Sequence, residues 1–199
     1  VISIIKSYIS TKDVNIATLA RFEKTWGSNT ARNISVISRS CGVNRFFNMF
    51  SGIPAIVVAA GPSLTQSLGF IKDNISKAVI IAVDTSYKLL IDNDITPHFC
   101  LSVDPQLINA RYYEGIGKTD TILVSDPTVH PSIFRFFKGR VSVTGIAFDM
   151  MKWIGDICGE KGELTHGGSV STNAYDFARR LGSSPVFMVG QDLSFTSGL

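Results

Sequence analysis

Cysteine and histidine are both scarce, at three residues each in 199. Cys41, Cys100 and Cys158 are odd in number, far apart and form no CxxC pair. That spacing excludes a disulfide framework and a thiolate metal site, and it predicts free thiols, with Cys100 buried in its apolar run. His98, His130 and His166 lack metal-ligand spacing, and no GxSxG elbow is present. No apolar run approaches the roughly 18 residues that cross a bilayer. The opening VISIIKSYIS is short and carries Lys6, unlike a secretory signal. Together these absences predict a cytoplasmic chain with no membrane span, and a start at Val1 rather than Met suggests a fragment.

Charge is sparse as well, with 18% charged residues against 45% apolar ones, so a sizeable core is available. The net charge of +3 is uneven. Residues 1–51 hold seven Lys/Arg against Asp13 and Glu23, and the remainder is slightly acidic. The asymmetry reads either as a surface for nucleic acid or acidic lipid, or as a solvated helical face. Without a Lys/Arg cluster or interleaved aromatics the second reading is preferred, and no nucleic-acid partner is expected.

What the chain does have is a recurring short apolar run rich in β-branched residues. These are Ile53–Ala60, Ala78–Val83, His98–Val103, Thr121–Ser125, Arg140–Thr144 and Pro185–Val189. Continuous rather than alternating runs indicate strands buried on both faces. Helix-length stretches separate most of them: Ser63–Ile75, Thr85–Asn93, Gln106–Tyr113, His130–Lys138, Phe148–Ile157 and Ser169–Leu181. The alternation predicts an α/β, Rossmann-like fold, a mostly parallel sheet with helices on both faces. Residues 1–51 show no clear strand and read as a helical lead-in; residues 52–199 read as the nucleotide-binding domain.

Four carboxylates fall at or just past predicted strand ends: Asp84, Asp104, Asp126 and Asp192. Ligands of open α/β sheets bind outside those carboxyl ends, where an Asp can accept hydrogen bonds from ribose or hold a metal. The plainer alternative is that each Asp caps the following helix. A second signal is Gly61-Pro62-Ser63 after the first predicted strand, Ile53–Ala60. Gly61 permits a tight turn, Pro62 suits a first helical position, and the Ser63 N–H and hydroxyl would meet an anion. The pattern matches neither GxGxxG nor GxxxxGK[ST], which disfavours a dinucleotide or Walker-type site. A third is Thr165 to Asn173, where Gly168, Ser169 and Ser171 precede a helix and form a second anion or ribose site, or an ordinary capped loop. His166 abuts this loop.

These runs resemble a known family. Pro54 to Leu64, ending in Gly61-Pro62-Ser63-Leu64, is similar to the GxGPSL loop of the Maf (motility-associated factor) proteins. So are Ile80-Ile81-Ala82-Val83-Asp84-Thr85, Ile95-Thr96-Pro97, Ser102-Val103-Asp104-Pro105, Gly167 to Thr172, and Val189-Gly190-Gln191-Asp192-Leu193. Trp26, Asn29 and Asn33 in the lead-in also resemble it. Related patterns occur in bacterial sialyltransferases that use CMP-sialic acid, and in archaeal 6-hydroxymethylpterin diphosphokinases of the MptE type.

The resemblance implies a glycosyltransferase that moves a nonulosonic acid of the pseudaminic or legionaminic type from its CMP-activated form to Ser/Thr of flagellin. Gly61, Pro62 and Ser63 would then hold phosphate and ribose, Ser169 and Ser171 the cytidine or phosphate side, and Asp84 and Asp104 the donor pocket. Ala60 stands where the sialyltransferases have Asn, and their general-base His lies beyond the region matching Gly190-Gln191-Asp192, so the domain is expected to be truncated at its C-terminus. The general base is unassigned. A second expectation is a diphosphokinase in which Asp84, Asp104 and Asp126 hold Mg²⁺ bridging ATP phosphates. A third is a nucleotide-binding module without chemistry.

Overall fold

The computed structural model describes residues 23–146, 149–165 and 168–193. Residues 23–39 form a helix, α1. The strands among the described residues are β1 (Cys41–Gly42), β2 (Ala55–Val58), β3 (Val79–Val83), β4 (Phe99–Ser102), β5 (Ile122–Ser125), β6 (Arg140–Val143) and β7 (Val186–Val189). They form one sheet in the order β1-β6-β5-β4-β3-β2-β7. Every pairing is parallel. These strands therefore present their carboxyl ends along a single edge.

The helices that follow are α2 (Leu64–Asn74), α3 (Asp84–Asp92), α4 (Ser132–Phe136), α5 (Asp149–Cys158) and α6 (Val170–Arg180). The expected Gln106–Tyr113 helix is a 3-10 segment, Leu107–Tyr113. It packs against α3 and α4 rather than standing as a layer of its own.

The two sheet faces bury alternate strand residues, as the two-residue period requires. On one face Ile56, Val58, Ile80, Ala82, Cys100 and Leu123 meet Leu64 and Ile71 of α2, and Tyr87 and Leu90 of α3. On the other, Val57, Ile81, Phe99, Leu101 and Val124 meet Ala174, Phe177, Ala178 and Leu181. The last four are spaced i, i+3, i+4, i+7, which puts them on one stripe of α6 and its C-cap, Leu181. Phe46, Phe99 and Phe177 stack edge to face there, with ring centroids 5.0–6.5 Å apart. Burial of a side chain such as Phe177 contributes about 1.5–3 kcal/mol.

The lead-in is helical over residues 23–39, as expected, and also holds one short strand that the sequence did not make clear, Cys41–Gly42, which pairs with Ser142–Val143. Two residues, one of them glycine, are too short for a period of two to register in sequence. α1 reaches the sheet through Ile37, which is fully buried with Val143 and with Met151 and Ile154 of α5. Cys100 is a fully buried free thiol, as expected.

Candidate functional site

Chain order and sheet order disagree at two places: β1 lies beside β6, and β7 beside β2. β2 through β6 are laid down side by side in succession, whereas β7 returns to the far side of β2. The carboxyl ends of β2 and β7 flank this switch point, where open α/β sheets leave a crevice. The chain after β2 is Ala59 to Ser63, and the chain after β7 is Gly190 to Asp192. They lock together tightly. Ala59 N–H donates to Val189 O at 2.8 Å, and Gly61 N–H to Gly190 O at 2.7 Å. Gly190 has φ +71°, and a Cβ there would strike the Ala59 carbonyl. A Cβ on Gly61 would strike both the Asp192 carboxylate and the Gly190 carbonyl. Glycine is required at both positions by close approach, and at Gly190 by backbone conformation as well.

The anion that meets Ser63 belongs to the protein. Asp192 Oδ2 accepts from Ser63 N–H and from the Ser63 hydroxyl, both at 2.9 Å. Pro62 sits in the turn ahead of α2 rather than at its first helical position, since that helix begins at Leu64. The donors that the sequence suggested for an external anion are taken by a carboxylate 129 residues away, which β7 delivers.

Asp84 opens α3 and is 1% exposed. Its Oδ1 accepts from Thr85 N–H at 2.8 Å and its Oδ2 from the Ser102 hydroxyl at 3.1 Å. Burial pushes its pKa up to about 6, and the nearby charge of Asp104 adds to this, while both donors oppose it. Tyr112 stands in the same field: burial raises its phenol, and Asp84 and Asp104 raise it further. Neither Tyr112 nor Ser102 stood out as a site residue in the sequence, where a Tyr in a helix-like stretch and a Ser ending a strand carry no motif.

Asp104 and Asp126 close matching turns after β4 and β5. Asp104 Oδ1 accepts from Gln106 N–H at 2.8 Å, and Asp126 Oδ1 from Thr128 N–H at 2.8 Å. Asp126 Oδ1 also takes the Thr128 hydroxyl at 2.6 Å. The local-capping alternative thus holds in part, because each of these carboxylates serves its own backbone. On the opposite sheet face, Ser169 caps α6, accepting from Ser171 N–H at 3.4 Å, with the two hydroxyls 2.8 Å apart. Gly168 precedes it at φ +68°. His166 lies outside the described residues.

The structure therefore brings Ser63 and Asp192 into contact and sets Asp84 within electrostatic reach of Asp104. Asp126 stands one strand further along the same edge, and Gly168, Ser169 and Ser171 stand at the start of the helix that leads into β7. Among the described residues no three Asp, Glu, His or Cys side chains are grouped to hold a metal. The other described histidines serve the fold: His98 Nδ1 accepts from Ile80 N–H at 2.9 Å and His130 Nδ1 from Ser132 N–H at 3.2 Å. No described helix is long and apolar enough to cross a membrane.

Comparison with known proteins agrees with this architecture. The family described as 6-hydroxymethylpterin diphosphokinase MptE-like matches residues 28–198. Among solved structures, the chain is similar to a MAf glycosyltransferase from Magnetospirillum magneticum AMB-1, with a TM-score of 0.61 and 22% identity. That alignment covers 80% of this chain and 29% of the glycosyltransferase chain. No curated protein sequence matches.

Proposed function

Since the chain belongs to the 6-hydroxymethylpterin diphosphokinase MptE-like family, we propose that it is the nucleotide-binding part of a cytoplasmic glycosyltransferase using a CMP-activated nonulosonic acid, with Ser/Thr of flagellin as acceptor. The observation that carries this reading is the convergence at one sheet edge of the Gly61 and Gly190 turns, which hydrogen-bond to each other, and of Asp84 and Asp104, which lie within electrostatic reach of one another. The fold it shares with the MAf glycosyltransferase supports the same reading.

With Asp192 fixing the Ser63 turn, the nucleoside lies against Gly61 and Pro62. The phosphate falls to the hydroxyl-bearing start of α6 at Ser169, where the helix dipole favours an anion. In transfer, the acceptor oxygen bonds to the anomeric carbon and the bond from that carbon to the CMP phosphate oxygen breaks. The hydroxyl proton passes to a base, and CMP departs with the electron pair. The departing phosphate gains a negative charge as that bond breaks, so the protein's work is positioning and charge stabilisation. Asp84 and Asp104 line the donor side of the pocket.

Isothermal titration tests the reading. CMP and CTP should bind, and Ser169→Ala should weaken CMP by about tenfold, the loss of one hydrogen bond to a charged group. A folded chain that ignores CMP and instead takes ATP only with magnesium would replace this proposal with the pterin diphosphokinase one.

A further inference from the structure

The two strand-end turns share more than their carboxylates. Each reads Asp-Pro-X, with Asp104-Pro105-Gln106 after β4 and Asp126-Pro127-Thr128 after β5, and each Asp Oδ1 accepts the N–H of X. The carbonyls on the same two peptide units are also engaged, by α1. Asn29 Nδ2 donates to Pro105 O at 3.1 Å, and Asn33 Nδ2 to Pro127 O at 3.0 Å. The second hydrogen of each amide reaches the β5 turn, Asn29 to Thr128 O at 2.9 Å and Asn33 to Val129 O at 2.8 Å. Both asparagines are buried, at 3% and 1% exposed, one helical turn apart on α1.

We propose that Asn29 and Asn33 are positioning residues of the nucleotide site, each orienting one strand-end carboxylate through a single peptide unit. In one arm the chain of hydrogen bonds runs from the Asn29 amide to the Pro105 carbonyl, across the peptide to Gln106 N–H, and on to Asp104. In the other it runs from Asn33 to the Pro127 carbonyl, across to Thr128 N–H, and on to Asp126. A peptide whose carbonyl is hydrogen-bonded is more polarised, so its N–H is the better donor to a carboxylate. Proline at the middle position of both turns leaves no N–H of its own to compete. A side-chain amide supplies two donors on one uncharged nitrogen, which lets Asn29 tie the β4 turn to the β5 turn and fix the spacing of Asp104 and Asp126. The relay rests on the geometry alone. Its bearing on ligand rests on the nucleotide-binding reading above.

The test uses the ¹⁵N-labelled chain carrying Asn29→Ala, Asn33→Ala or, as a control on α1 docking, Ile37→Val, which thins the buried cluster of Val143, Met151 and Ile154. Asn29→Ala should move the Gln106 amide proton upfield and leave Thr128 less affected; Asn33→Ala should do the reverse. Each should weaken CMP by about tenfold, and Ile37→Val should do neither. Where an alanine form does not fold, Asn29→Ser or Asn33→Ser retains one donor and should give a smaller shift in the same arm. Amide shifts that are unchanged, or that follow loss of stability equally in all variants, overturn the proposal. Arm-specific shifts in a chain that never binds CMP would leave the relay standing and remove the nucleotide reading.

Discussion

Gly61→Ala should lower the stability of the chain by about 3 kcal/mol, the upper end of the cost of forcing an extra methyl into a packed site. One obstacle is the Asp192 carboxylate, which can turn away; the other is the Gly190 carbonyl, which cannot, because it is main chain and already holds Gly61 N–H. Separating the two turns should also break both Ser63 bonds to Asp192, so nucleotide affinity falls with stability. Gly190→Ala pushes on the same contact from the opposite side, through Ala59 O. The two substitutions should therefore be strongly non-additive, the double variant costing less than the sum. Urea denaturation of both single variants and the double variant measures this. An unchanged midpoint for Gly61→Ala would show that the β2 and β7 turns are not in the contact described.

Asp84→Asn should do the opposite at neutral pH and stabilise the chain. The Asp84 carboxyl has its pKa raised from 3.8 to about 6. A raised pKa means that its stabilising contribution is complete below pH 3.8 and is lost as pH climbs through 6. Above that window the protein carries a buried, ionised carboxylate at a cost of about 3 kcal/mol, since each pH step between the two values is worth about 1.4 kcal/mol. Asparagine keeps the geometry: its Oδ1 can accept from Thr85 N–H, and its Nδ2 can donate to the Ser102 oxygen. Denaturation at pH 7.5 should show a gain approaching that figure, worth roughly 2–4 °C in Tm per kcal/mol for a chain of this size. The gain should shrink below pH 6 and vanish near pH 4. Donor binding should weaken despite the added stability, the exchange expected of a group retained for function. A difference from wild type that does not vary with pH would mean that Asp84 is not held against its ionisation.

The sheet was legible in the sequence because most of its strands are continuous apolar runs, and β2 through β7 lie where those runs are. β1 was not legible, since its pairing with β6 is decided by residues a hundred positions away and leaves no local period. Placement of Asp84, Asp104, Asp126 and Asp192 at strand ends could also be read directly, because a parallel sheet sends all such ends to one edge. Their partners could not. That Ser63 would face Asp192 depends on β7 lying beside β2, a matter of strand order that periodicity does not encode. Asn29 and Asn33 stood out only through family resemblance. Their hydrogen bonds to the β4 and β5 turns needed the docking of α1, which rests on buried contacts such as those of Ile37.

The return of β7 to the side of β2 also has a bearing on biosynthesis. Ala55 pairs with Val186, so the two turns that close at Gly61 and Gly190 come from distant parts of the described chain. Closing so long a loop carries an entropic cost that neighbouring pairs such as β2 and β3 avoid, and distant pairings of this kind slow folding. On the ribosome, β2 through β6 can align while β7 is still unmade, but the Gly61 turn has nothing to close against until Asp192 has emerged. A polypeptide released before that point would hold most of its sheet and leave the Gly61 turn open.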